Sequence, residues 1–400
     1  LILSPRIFAQ SFYNSKDIIF LSLMIFAVFF NIKLLNYNGI KYIFLASFFS
    51  ALATALRIPG CYIPIITVFF YSLNYDKNDH KLSRLKFFLY YFSLFLVLLY
   101  LLWPFLWEDP LTNFLYSFKL LGSIPYSFYT LYLGDFVNTK HIPWHYFFVW
   151  FSISTPPFFL LIIICGFFIS SKNFFVNISF IEEDSKNFLW KNNYEMNELF
   201  ILCVFIIPVF LTILLGSTVY NGWRHFFFIY PALIFLGISA LKFINTHSKK
   251  IIIKSINSLL VIQFFFVAYF IVQSHPLQSI YFNSLSKKIA TNHFVYDYWG
   301  LGNRLSLEKL INDENYKKPI KIATSSFTDL NKTKFIIEKD LRDKLIILGT
   351  EKENADFIFT NYYYNTAPNS EKKFLIPDNY HSIIRLEVNG LLINEIFKKK

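Results

Sequence analysis

Long apolar runs separated by short polar ones dominate residues 1–274. A helix needs roughly 20 apolar residues to cross a hydrocarbon core. On that measure the pattern predicts membrane helices over 18–35, 42–57, 59–73, 87–107, 146–169, 199–219, 225–241 and 256–273, eight in all. The two short ones flank Arg57-Ile58-Pro59-Gly60. A proline–glycine break is tolerated at membrane depth only where protein or a wet cavity satisfies the freed backbone groups, so this element is a candidate cavity lining.

Beyond 274 the pattern changes. Lys321–Thr324 and Ala355–Thr360 read as strands, and stretches near 303–315 and 329–345 read as helical. Ser382–Val388, Asn389-Gly390 and Leu391–Phe397 read as strand, type I′ turn and strand. The predicted fold class is a polytopic α-helical membrane protein of about eight transmembrane helices with a C-terminal extracytoplasmic α/β domain. The expected division is a membrane body over 1–274 and a soluble α/β module over 275–400.

Composition agrees with that division. The 400 residues are 55% hydrophobic, with 51 Phe, only 16% charged residues and a mean hydropathy of +0.42, which excludes a single soluble domain. Residues 1–274 hold 19 Lys/Arg and 11 Asp/Glu, whereas the much shorter 275–400 holds 19 and 15. The net charge of +12 would suit nucleic acid, but the basic residues of the body sit in short loops between apolar runs, where positive-inside topology accounts for them; no nucleic-acid partner is expected. Loops 33–41, 74–86, 170–198 and 242–255 collect 13 Lys/Arg against 6 in the opposite loops, so the first set is expected to be cytoplasmic. Residues 1–17, Arg57, the long loop 108–145, the loop 220–225 and the tail then fall outside. Cys61, Cys165 and Cys203 show no metal or disulfide spacing and read as packing residues. The chain begins at Leu1 with no signal peptide pattern, on residues that look like the end of a helix, so an upstream segment is expected.

Several polar residues stand out against this apolar background. Asp17, after Lys16, lies at the mouth of a very apolar helix and is either a functional acid or a helix N-terminal acid favoured by the macrodipole. Arg57 in the broken element suits phosphate, as a planar two-donor cation, or else snorkels to headgroups. Within Tyr220-Asn221-Gly222-Trp223-Arg224-His225, Arg224 and His225 suit an anion or phosphate, although an interfacial belt would look similar. Loop 108–145 carries Glu108-Asp109, Asp135 and Pro143-Trp144-His145-Tyr146. Aromatics beside an acid and a histidine suit sugar recognition; for Trp103, Trp107 and Trp150 a membrane girdle is the preferred reading. His275–Asn283 and Asp297-Tyr298-Trp299-Gly300 read as a docking segment against the body, and Glu182-Glu183-Asp184 as a solvated loop. No metal motif, internal repeat, glycine-rich phosphate loop or heptad occurs; no cofactor is indicated, and a divalent metal has no supporting ligand pattern.

The order of these segments resembles the bacterial polytopic glycosyltransferases of the GT-C type, related to the protein O-mannosyltransferases and the lipid A aminoarabinose transferase. The resemblance rests on Ser4-Pro5-Arg6 through Lys16-Asp17, Trp103 to Pro110, Leu131 to Asp135, Pro143 to Tyr146, Gly222 to His225 leading to Ile229-Tyr230-Pro231, and His275 through Gly300. It implies transfer of a sugar from a polyprenyl-phosphate donor to a glycan, lipid or protein acceptor, outside a bacterial cytoplasmic membrane whose lipids surround the chain. By that resemblance Asp17 corresponds to a second outer acid that shapes the catalytic site, with Lys16, Arg57, Arg224 and His225 facing the donor phosphate. Asp135, Trp144, His145 and Tyr146 are the expected sugar contacts. The family's first-loop acid, its best candidate base, has no counterpart in these residues, so the fragment alone is expected to be inactive. A lipid or polysaccharide flippase, or a non-catalytic remnant, are the competing expectations.

Overall fold

The computed structural model describes residues 1–400 apart from 38, 75–82, 123–126, 180–188, 291, 314–318, 365 and 367–371. Glu182, Glu183 and Asp184 lie outside the described residues. After the short α1 (Pro5–Gln10) come α2 (Ser15–Tyr37), α3 (Ile40–Leu56), α4 (Tyr62–Leu73) and α5 (Arg84–Leu102). Next are α6 (Pro110–Gly122), the hairpin β1 (Tyr129–Tyr132) and β2 (Asp135–Asn138), α7 (Tyr146–Ser154), α8 (Pro157–Ser179), α9 (Asn193–Leu214), α10 (Tyr230–His247) and α11 (Lys250–Gln273). Six helices among the described residues are long and apolar enough to cross a membrane: α2, α5, α8, α9, α10 with its 3-10 lead-in Arg224–Ile229, and α11. The chain is thus a mostly helical, polytopic membrane-type protein carrying a C-terminal sheet.

The expected spans differ from this in identifiable places. The run 146–169 is two helices, because Thr155 precedes Pro156 and takes extended backbone there (φ −99°, ψ 137°). The runs 42–57 and 59–73 are the shorter α3 and α4, joined by the 3-10 turn Ile58–Cys61. A Cβ on Gly60 would lie 2.6 Å from backbone atoms of Ala53 and Thr54, so the turn folds back against α3 closely enough to require glycine. The stretch 108–145, read as a loop, contains α6 and β1–β2. Its apolar positions Leu111, Phe114, Leu115 and Phe118 follow helical spacing, and Leu133-Gly134 makes the two-residue hairpin turn with positive φ at both positions. Trp150 belongs to the core and not to a girdle, and Cys165 is exposed on α8 and not packed.

Inside an apolar bundle, polar side chains specify which helices meet. Asn31 on α2 donates to Ser50 Oγ on α3 (3.0 Å) and accepts from the Tyr91 hydroxyl on α5 (2.6 Å), tying three helices together. On the other side α8 crosses α10 at Gly166, where an added Cβ would stand 1.8 Å from the Leu236 carbonyl oxygen.

The tail continues with α12 (Lys287–Ala290), α13 (Asn303–Asp313), β3 (Ile320–Thr324), α14 (Leu330–Phe335), α15 (Lys339–Arg342), β4 (Leu345–Ile347), β5 (Phe357–Thr360), β6 (Tyr380–Val388) and β7 (Leu391–Lys399). The sheet order is β4-β3-β5-β7-β6, with β3 parallel to β4 and β5, and β7 antiparallel to both its neighbours. Asn389 and Gly390, both at positive φ, close the β6–β7 hairpin as a type I′ turn requires. The stretch 329–345 is two short helices ending at a strand instead of one helix.

The tail has a buried cluster of its own, including Leu307, Ile320, Ile322, Phe357 and Ile396, and it also shares in the core of the body. Leu277, Ile280, Phe282, Phe294, Leu391 and Ile393 belong to the same buried cluster as the membrane helices. The docking reading of His275–Asn283 agrees with the contacts: Asn283 Nδ2 donates to the carbonyls of Ser152 and Thr155, and its N–H to that of Ile153, filling acceptors freed where α7 ends. Arg6 is buried between the faces of Trp150 and Phe282 (5.1 and 4.8 Å) and donates from Nε to the Tyr281 carbonyl at 3.0 Å.

Gly166→Ala is expected to lower stability by about 2 kcal/mol or more, since overpacking against a backbone carbonyl outweighs the gain in helix propensity. Thermal unfolding in detergent against the wild type measures it.

Candidate functional site

The site assembles at the end of the bundle where α2 begins, α3 ends and α10 is entered. Asn14 caps α2: its Oδ1 accepts the Asp17 N–H (3.1 Å), and its Nδ2 donates to Asp17 Oδ2 (2.8 Å) and to Gln10 Oε1 (2.6 Å). That cap draws Asp17 inward, to 2% exposure.

Two arginines meet the carboxylate from different elements. Arg57 terminates α3 in extended backbone and brings Nη2 to 2.7 Å from Asp17 Oδ1, an ion pair without hydrogen-bond alignment. Arg224 opens the 3-10 turn before α10 and places Nη1 3.3 Å from Oδ2. Its guanidinium carbon lies over three rings: Tyr220 (5.0 Å), Tyr298 (5.3 Å) and Trp299 (5.6 Å). His225 sits edge-on to Tyr220 with a centroid separation of 4.8 Å, and its Nε2 is buried with no partner among the described residues.

These groups line a cavity of about 610 Å³. Its charged lining residues are Lys16, Arg57 and Arg224 against Asp17 alone, so cations exceed anions by two. The remaining wall is largely apolar, from Leu56, Phe118, Leu211, Phe226 and Phe228 among others, and includes Pro208, where α9 loses a backbone donor. Such a space offers guanidinium and ammonium donors to an anionic group and a greasy wall to whatever is attached to it.

The five residues Lys16, Asp17, Arg57, Arg224 and His225, from three segments far apart in sequence, are therefore brought together. The expected sugar contacts are not. Asp135 is exposed at the start of β2, and His145 Nδ1 pairs with the Tyr132 hydroxyl at 2.6 Å. Trp144 and Tyr146 line a separate cavity of about 110 Å³ that shares Thr212, Ser217, Val219 and Phe226 with the larger one. The reason is local: Tyr146 opens α7 and turns into the core, while Trp144 points outward from the loop before it. Two features were not foreseen. Gln10-Asn14-Asp17 has helix-turn spacing that signals the cap, and Tyr298-Trp299, read only as a docking pair, forms two walls around Arg224. Among the described residues no group of three or more His, Cys, Asp or Glu could hold a metal ion.

The turn carrying Tyr298 and Trp299 is held by Asp297, whose carboxylate accepts the N–H groups of Leu301 (2.9 Å) and Gly302 (3.1 Å). Burial pushes this carboxyl up from 3.8 to about 6, against the backbone donors that favour its charged form.

Compared with family models, curated proteins and solved structures, the chain matches none.

Between pH 4 and 6 the folded chain retains the Asp297 proton that the unfolded chain has lost. The stability this group contributes is therefore full below pH 4 and falls by about 3 kcal/mol as pH rises to 6. In Asp297→Asn that part of the slope is expected to vanish, which melting curves from pH 4 to 7 measure.

Proposed function

We propose that this chain is a multi-pass membrane glycosyltransferase acting on a polyprenyl-phosphate-linked sugar at the outer face of the cytoplasmic membrane, with a lipid, glycan or protein as acceptor. The observation that carries the reading is the convergence of Arg57 and Arg224 on Asp17, with Lys16 in excess, in a cavity whose other wall is apolar. A phosphate headgroup with a prenyl chain has that same division of character.

The chemistry follows from the charges. As an acceptor hydroxyl oxygen bonds to the sugar's anomeric carbon and releases its proton to water, the bond from that carbon to the phosphate oxygen breaks; negative charge grows on the departing phosphate, and pre-placed guanidiniums stabilise that charge more than the ground state. Asp17 is engaged by both arginines and Asn14. It serves as the anchor that keeps two like charges side by side and aimed into the cavity. His225 lines the same cavity, with its Nε2 buried behind the wall. The gathering of charge at one end of the bundle, and not at its middle, favours headgroup chemistry over a translocation path.

Full-length protein in proteoliposomes, given a polyprenyl-phosphate hexose labelled in the sugar together with membrane-extract acceptors, should release polyprenyl phosphate. Arg57→Gln and Arg224→Gln should each cut turnover by roughly 10²-fold, as the loss of a transition-state donor does. Intact donor crossing the bilayer uncleaved would replace this reading with a flippase. Donor bound but neither cleaved nor moved would leave a lipid-binding remnant.

A further inference from the structure

We infer that Tyr298 and Trp299, supplied by the C-terminal module, are positioning residues for the phosphate site: with Tyr220 they form an aromatic box that sets the aim of the Arg224 guanidinium. The inference rests on the phosphate-site reading above.

Polar contacts alone do not fix Arg224. Among the described residues its ion pair is the 3.3 Å approach of Nη1 to Asp17, and its Nε is buried without a hydrogen-bond partner there. A guanidinium so thinly held would sample several rotamers, since an arginine side chain carries about 2 kcal/mol of rotamer entropy. Three ring faces at 5.0 to 5.6 Å confine it instead. Ring quadrupoles attract the cation without taking up its N–H groups, so the donors stay free to meet an incoming anion.

The box walls are themselves fixed from both sides. Tyr298 stands edge-on to Tyr363 (5.3 Å), just beyond the carboxyl end of β5, and Asn361 Nδ2 reaches the Asp297 carbonyl at 3.5 Å. Trp299 meets Tyr13 edge-on at 5.3 Å, in the loop that leads into Lys16 and Asp17. One tryptophan thus touches the cation and the segment that carries its anionic partner. At 37% exposure it also retains an open edge.

The test compares binding of polyprenyl phosphate with binding of the uncharged polyprenol of equal length to the full chain in detergent. The readout is the ratio of the two affinities, which a general loss of packing would not change selectively. The Tyr298→Leu/Trp299→Leu pair keeps apolar side chains but removes the ring faces and should reduce the preference for phosphate roughly tenfold. The Tyr298→Phe/Trp299→Phe pair should retain it. A wild-type ratio in the leucine pair, while Arg224→Gln lowers the ratio, overturns the box and leaves the phosphate site standing. Equal loss in both pairs, although the phenylalanine pair keeps its ring faces, shows that ring faces do not set the preference and also overturns the box. A ratio unmoved by Arg224→Gln and Arg57→Gln overturns the phosphate site itself and the box with it.

Discussion

A carboxylate buried to 2% at the end of an apolar helix is costly unless cations accompany it, and Asp17 has two arginines and an asparagine cap for company. Removing either charge from water is offset only while the partners stay within a few ångströms. Much of the surrounding backbone follows from that requirement. α3 stops at Arg57 in extended backbone, the Ile58–Cys61 turn presses Gly60 against α3, and the chain before α10 tightens into a 3-10 turn that presents Arg224. Breaks that would weaken a plain transmembrane helix are here the means of bringing three charged side chains to one point.

The C-terminal module takes part in the same arrangement. In open sheets with parallel strands, ligands favour the crevice at the carboxyl ends of strands where the connections diverge. Here β3 has β4 on one side and β5 on the other, and the crevice is filled by the protein's own groups: Thr360 Oγ1 donates to the Ser325 carbonyl, and Thr324 shares a hydrogen bond with Ser326. The residues beyond that edge, Asn361 and Tyr363, grip the Asp297–Tyr298 turn. The module's carboxyl edge is thereby used to hold a piece of the cavity's surroundings, and Leu391 and Ile393 of its terminal hairpin join the buried cluster of the membrane helices.

Where sequence reading fell short, the reasons are physical and differ from case to case. α6 and the β1–β2 hairpin carry helical spacing and a two-residue turn, both within the stretch 108–145 that reads as one long loop. The break in 146–169 follows from Thr155-Pro156, which restricts backbone without changing hydropathy. Trp144, His145 and Tyr146 are neighbours in sequence, but Trp144 and Tyr146 line the smaller cavity while His145 pairs with Tyr132, and none of them lines the cavity that holds the charges.

Hydrophobic spacing, proline and glycine positions and the Asn-Gly turn were enough to determine the membrane-type body, the broken element at Arg57 and the terminal hairpin, because each depends on forces acting over a few residues. The isolated charges could be picked out in the same way, since charge against an apolar background is a local contrast. Only the tertiary structure decided which charges meet. Asp17, Arg57 and Arg224 are joined by desolvation and Coulomb attraction across helices far apart in sequence, and two of the rings around Arg224, Tyr298 and Trp299, come from far along the chain. Interactions of that range leave no spacing in the chain to read.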